Sequence, residues 1–94
     1  MDGASLYILS CADGKLYTGL TRRGVDERVS EHAQGLSVFT KTRRPVVLIF
    51  SEHYPVITDA IAAERRIKGW SRAKKLAYIA GDFSRLAELA RRRG

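Results

Sequence analysis

The chain has 94 residues, 45% of them apolar, a formal net charge of +7 and a single cysteine. That length holds one core and leaves no room for a second, and the apolar share excludes an intrinsically disordered chain. The longest apolar runs, Leu6 to Leu9 and Val46 to Phe50, fall far short of the roughly 20 residues that cross a bilayer; no secretory leader opens the chain, and lone Cys11 has no partner for an internal disulfide, so a soluble protein of the cytoplasm is expected.

Taken in chain order, Leu6 to Cys11 and Leu16 to Thr21 pattern as strands, and Ala12-Asp13-Gly14-Lys15 between them is a strong hairpin signal. Two loops are compatible with it. A two-residue loop at Asp13-Gly14 sets residue 10 opposite residue 17 and sends Tyr7 and Tyr17 to opposite faces. A three-residue loop with Gly14 as the left-handed bulge residue sets 9 opposite 17 and 7 opposite 19. Both tyrosines then share a face, and Gly19 leaves space beside Tyr7. From Val25 the period becomes helical, with Val25, Val29, Ala33 and Leu36 on one side, Asp26 and Glu27 in the first turn and Gly35 as the stop. Residues 36–44 are polar and basic and form a loop. Pro45 opens a third strand, Val46 to Tyr54, whose unbroken apolar centre suits a strand covered on both faces.

Three helices follow. Thr58 or Asp59 caps the first, with Ala60, Ala63, Ile67 and Trp70 inward. Ser71 caps the second, with Ala73, Leu76, Ala77 and Ala80 inward and Gly81 closing it. Asp82 or Ser84 starts the last, with Phe83, Leu86, Ala87 and Ala90 on one stripe. The order β-β-α-β-α-α-α predicts an α+β fold: a three-stranded antiparallel sheet flanked by helices, as one domain over residues 1–94.

The positive charge is uneven. Residues 1–40 carry four basic and five acidic side chains, and residues 41–94 carry thirteen and five. A basic half on a small domain is the footprint of a polyanion binder. Nucleic acid is favoured over a membrane surface, because no helix pairs a basic face with a strongly apolar one.

A few polar residues stand out on this scaffold. Tyr7 and Tyr17 sit on the hairpin arms, where tyrosine ordinarily belongs to the core. Arg28 and His32, four residues apart, share a helical face beside the apolar stripe. Glu64 borders an inward stripe and has Lys68 four residues on, so a surface ion pair and an inward-facing carboxylate are both open. Lys41, Arg43 and Arg44 lie in a loop from which they can reach phosphates. The tail Arg91-Arg92-Arg93 is either a phosphate clamp or a frayed end. There is no Cys-x-x-Cys, no paired-His metal motif and no phosphate-cradling glycine loop. Cys11 is better placed for packing than for nucleophilic attack.

In order, Ser5-Leu6-Tyr7, Tyr17-Thr18-Gly19, Arg28, His32 and Glu64 resemble the GIY-YIG nuclease superfamily, in particular its small single-domain bacterial members. The resemblance runs over roughly residues 5–80 and includes Asp13-Gly14, Arg44-Pro45-Val46 and the segment from Glu64 to Ser71. Ser5 and Leu6 replace Gly and Ile, Thr18 replaces Ile, and Leu20 falls where some relatives place a Lys. The resemblance implies a metal-dependent DNA endonuclease, structure-selective or weakly sequence-selective, in DNA repair or recombination. RNA is not excluded as a substrate, and a non-catalytic nucleic-acid-binding module on the same scaffold is the alternative. It further implies that Tyr7, Tyr17, Arg28, His32 and Glu64 form the catalytic set. Glu64 holds Mg²⁺ or Mn²⁺, Arg28 braces the phosphate, and Tyr7 deprotonates the attacking water once its pKa is lowered. Tyr17 and His32 orient them, and Arg22, Arg23, Lys41, Arg43 and Arg44 bind the nucleic-acid backbone. The same resemblance favours the three-residue hairpin loop.

Overall fold

The sheet has three strands in the order β2-β1-β3, all antiparallel, so the first strand in sequence is the central one. A computed structural model describes residues 3–37 and 40–92. Arg93 of the basic tail and the side chain of Arg92 lie outside the described set. The strands are β1 (Ala4–Cys11), β2 (Leu16–Thr21) and β3 (Val46–Tyr54), and the helices are α1 (Val25–Ala33), α2 (Ile57–Lys68), α3 (Arg72–Ala80) and α4 (Phe83–Arg92). The predicted order β-β-α-β-α-α-α is the observed one.

The hairpin register decides which side chains share a face. Leu9 lies opposite Tyr17 and Tyr7 opposite Gly19. The loop between Cys11 and Lys15 closes with Gly14 N–H donating to the Cys11 carbonyl at 2.9 Å, and Gly14 adopts φ +86°. This is the three-residue loop: a type I turn followed by a left-handed residue, a conformation that glycine takes without steric cost. Tyr7, Leu9, Tyr17 and Gly19 therefore face one way, and Leu6, Ile8, Leu16, Thr18 and Leu20 the other.

The second of these faces carries the aliphatic core. Leu6 and Ile8 pack with Ala63 and Ile67 of α2, and Leu16, Leu20, Ile49, Phe50 and Trp70 close around them. The apolar stripe on α2 is as its spacing predicts, with Ala60, Ala63 and Ile67 buried. Its N-cap is Val56, without a side-chain bond, in place of Thr58 or Asp59; the chain enters the helix directly after Pro55, so both polar residues fall inside the first turn.

Three sequence expectations change phase. β3 is an edge strand, and none of its residues is buried, so it is not covered on both faces. Its continuous apolar run has another cause: the β1–β3 register slips between Ile8 and Leu9, leaving Ile49 as the extra residue between Leu48 and Phe50. The bulge lets successive residues Ile49 and Phe50 both pack on the core. On α3, Ser71 caps as expected, accepting from Lys74 N–H at 3.2 Å, and Gly81 closes the helix in the left-handed region. The buried residues, however, are Lys75 and Ala77, and Ala73 and Ala80 are exposed. The Tyr78 ring, edge-on to Phe50 at 5.3 Å and to Trp70 at 5.7 Å, turns this face of α3 inward. On α4, Asp82 caps the helix through Arg85 N–H at 3.0 Å, but the stripe is only lightly covered: Leu86 and Leu89 are half-buried, and Phe83 is 63% exposed. α4 packs chiefly against α3 and extends beyond the cover of the sheet.

Two substitutions measure this core in urea denaturation. Ile67 is fully buried among Leu6, Ile8 and Ala63, so Ile67→Ala should lose about 2–5 kcal/mol. Thr18 is buried, and its hydroxyl has no hydrogen-bond partner among the described residues; the near-isosteric Thr18→Val should gain about 1–2 kcal/mol by removing that penalty.

Candidate functional site

On the face opposite the aliphatic core, Tyr7 points from the central strand beneath Gly19. A Cβ at position 19 would overlap the Tyr7 phenol ring, so only glycine admits the ring there. Tyr7 is 1% exposed. Its ring lies 6.3 Å from that of Tyr17, and the His32 ring completes the cluster, 5.7 Å from Tyr7 and 5.1 Å from Tyr17.

His32 sits in the face of α1 that meets the sheet, and not beside that face as its spacing suggested. It is fully buried, while Val25 and Val29 are half-buried and Ala33 and Leu36 are exposed. The physical reason is its partners. α1 covers a polar part of the sheet, and the imidazole finds a hydrogen bond on each side: Tyr7 Oη at 2.9 Å from Nε2 and Thr40 Oγ1 at 2.7 Å from Nδ1. Burial, and after it the Arg28 charge, lowers the His32 pKa. The ring is thus held neutral, with one nitrogen donating and the other accepting.

Arg28, one turn earlier on α1, donates from Nε to Tyr7 Oη at 3.3 Å and from Nη1 to Glu31 at 2.6 Å. Since the Tyr7 oxygen accepts from Arg28, its own hydrogen is available to His32 Nε2, and Nδ1–H then donates to Thr40. Arg28, Tyr7, His32 and Thr40 form one directional chain. Glu31 anchors it, accepting also from Arg23 at 2.7 Å, and the hydrogen bond from Arg28 and then that from Arg23 hold its carboxyl below the usual range. Glu31 and Thr40 were not singled out by sequence reasoning. Glu31 was legible as the i+3 partner of Arg28, whereas Thr40 has no local pattern that marks it.

Burial pushes the Tyr7 phenol up, and the hydrogen bond from Arg28, next in size, pulls it down. Burial wins, so the phenol is neutral in this state, contrary to the lowered pKa that a base requires.

Glu64 is on α2, the helix whose Ala63 and Ile67 pack on the opposite face of the sheet, and none of the hydrogen bonds joining Arg28, Tyr7, His32, Thr40 and Glu31 reaches it. Its side chain is 16% exposed and lies 3.6 Å from the exposed Lys68, so the carboxylate turns inward and makes the ion pair as well. Among the described residues no group of three His, Cys, Asp or Glu side chains converges. That donor set does not suit a zinc cage. It does suit a hard cation such as Mg²⁺, which takes one or two carboxylates and keeps its waters.

Of the basic residues, Arg23 is engaged by Glu31 and Glu27, Arg43 by Asp13 at 3.0 Å, and Arg44 by the backbone carbonyls of Lys41 and Ala33. Lys41 and Arg22 are exposed and make no ion pair among the described residues. Lys41 and Arg44 line an open cavity of about 400 Å³ at the C-terminal end of α1.

Comparison with known proteins places these residues in a family. The GIY-YIG catalytic domain family matches residues 4–77. UPF0213 proteins of Staphylococcus aureus strains Mu3 and N315 are each 42% identical over 80 residues, covering 84% of this chain and 96% of theirs. The solution structure of a UPF0213 protein from Bacillus halodurans superposes with a TM-score of 0.56 at 35% identity, covering 83% of each chain.

The neutral, buried His32 makes a test of the geometry by pH. A depressed folded pKa contributes stability above the unfolded value of 6.5 that is lost as pH falls towards the folded value. Thermal melting should therefore drop as pH falls below about 6.5, and that part of the drop should vanish in His32→Gln.

Proposed function

The chain belongs to the GIY-YIG family, and from that premise we propose that it is a divalent-metal-dependent endonuclease that hydrolyses phosphodiester bonds in DNA. The observation that carries the reading is the buried Arg28–Tyr7–His32–Thr40 chain of hydrogen bonds. A structural tyrosine needs one partner for its hydroxyl; Tyr7 has a permanently charged donor on one side and a neutral base on the other.

The chemistry follows from these two neighbours. His32 Nε2 takes the phenol hydrogen of Tyr7, and the Arg28 guanidinium, charged throughout, stabilises the phenolate left behind. Thr40, at Nδ1, fixes the ring so that Nε2 faces Tyr7. The phenolate accepts a proton from water as the water oxygen bonds to phosphorus. The bond from phosphorus to the leaving sugar oxygen breaks, that oxygen takes a proton from solvent, and His32 returns to solvent the proton it took from Tyr7, which restores the neutral pair. Tyr17 lies beside both rings and helps to orient them. Glu64 would hold Mg²⁺ or Mn²⁺, which when bound supplies positive charge to the phosphate and favours the ionised phenol. β2 is an edge strand beside the central strand that carries Tyr7, and α2, which carries Glu64, packs against both; a nucleic-acid strand lying along this edge is the arrangement that would bring one phosphate to both groups. Arg22 and Lys41 are the cations best placed to take its phosphates, with Arg23, Arg43 and Arg44 holding the loops that carry them.

The test is a cleavage assay with Mg²⁺ or Mn²⁺ on branched, nicked and single-stranded DNA, and on RNA. Tyr7→Phe should cut about 10²–10⁴ times more slowly, the usual value of a positioned proton-transfer group, and Glu64→Ala should lose metal-stimulated cutting. Equal cutting by Glu64→Ala and the parent removes Glu64 from the mechanism. Salt-sensitive binding without product on any substrate points instead to a nucleic-acid-binding module.

A further inference from the structure

Lys75 is 6% exposed, and among the described residues no carboxylate pairs with it. Its Nζ donates to the Leu16 carbonyl at 3.3 Å, one long bond for a group with three donors. Burial, and then the charge of Lys68, pushes its pKa down; an anion beside the ammonium would favour the charged form and oppose this shift. Lys75 also lines a cavity of about 490 Å³ between the hairpin turn and the α2–α3 junction, shared with Asp13, Lys15, Leu16, Trp70 and Arg72. Asp13 does not neutralise this cavity, because Arg43 and the Lys15 N–H occupy its carboxylate. Arg72 uses Nε on the Gly14 carbonyl at 2.9 Å, and its remaining N–H groups make no bond among the described residues. Three cations and an indole thus surround a space whose one acid is already satisfied.

We propose that this cavity binds a phosphate of a nucleic-acid strand, with Lys75, Arg72 and Lys15 taking the anion and Trp70 lying against the attached base. It rests on the nucleic-acid reading above and adds a contact distinct from the Tyr7 chain, on the side of the sheet covered by α2 and α3. It also gives a reason for the burial of a lysine beside Ala77 on α3.

Trp70 is the only tryptophan in the sequence, so its fluorescence reads this cavity directly. The chain is titrated in EDTA, where no cutting occurs, with a short oligothymidylate, with thymidine monophosphate and with inorganic phosphate. The oligonucleotide should quench Trp70 saturably. Lys75→Met, which keeps the stem, should bind about tenfold more weakly, with the slope of log affinity against log salt reduced by about one. Lys15→Gln, at an exposed position, should weaken binding in the same direction and serves if Lys75→Met unfolds. Oligonucleotide binding that leaves Trp70 emission unchanged overturns the proposal, as does parental affinity in folded Lys75→Met or, should that variant unfold, in Lys15→Gln. Equal affinity for inorganic phosphate or the mononucleotide overturns the strand as ligand. Saturable quenching by a parent chain that cuts no substrate counts against the catalytic reading alone, and loss of quenching with cutting intact counts against this cavity alone.

Discussion

A phenol hydroxyl buried between a guanidinium and an imidazole is the constraint around which the polar half of this protein is arranged. Burying such groups is costly unless each is satisfied, and the fold meets that demand with residues drawn from three places in the chain. Tyr7 comes from the central strand, Arg28 and His32 from one face of α1, Thr40 from the following loop, and Glu31 fixes Arg28 from outside. Gly19 belongs to the same arrangement through the side chain it lacks. The hairpin turn matters for this reason: a loop one residue shorter would have sent Tyr7 and Tyr17 to opposite faces.

The sheet separates two kinds of cohesion. On the α2 side Leu6, Ile8, Ala63 and Ile67 contribute non-directional apolar burial, which tolerates volume-conserving change. On the α1 side cohesion is directional, and removal of one partner strands another. The net charge of +7 overstates the hydrogen-bonding capacity of the surface, because Arg23, Arg28, Arg43 and Arg44 are already held by carboxylates or backbone carbonyls. Their long-range field still draws polyanions, while short-range contact falls to the few cations left unengaged.

Much of this was legible in advance, for reasons that can be named. Asp13-Gly14 restricted the hairpin to two loops, and the family resemblance favoured the three-residue one that the register shows. Ala60, Ala63 and Ile67 showed their burial through spacing alone. The failures share a cause: apolar periodicity misses a polar group that is buried because its partners are distant in sequence. His32 is inward owing to Tyr7 and Thr40, and Lys75 owing to the Leu16 carbonyl. The β3 run was misread because a bulge, invisible to pattern, replaces alternation. Glu64 carried two readings that do not exclude each other: it pairs with Lys68 while its own side chain is largely covered.

Cys11 closes β1 at the base of the hairpin turn, buried, with its thiol pushed up by burial first and by the Asp13 charge second. Such a sulfur is a poor nucleophile while the strand end stays shut. Alkylating reagents consequently reach it only when the hairpin base parts from the loop around Arg43, whose carbonyl accepts from Ala12 N–H at 2.9 Å. The chain thereby contains a native chemical clock: the rate at which this thiol reacts counts the openings of the turn that sets the tyrosine register.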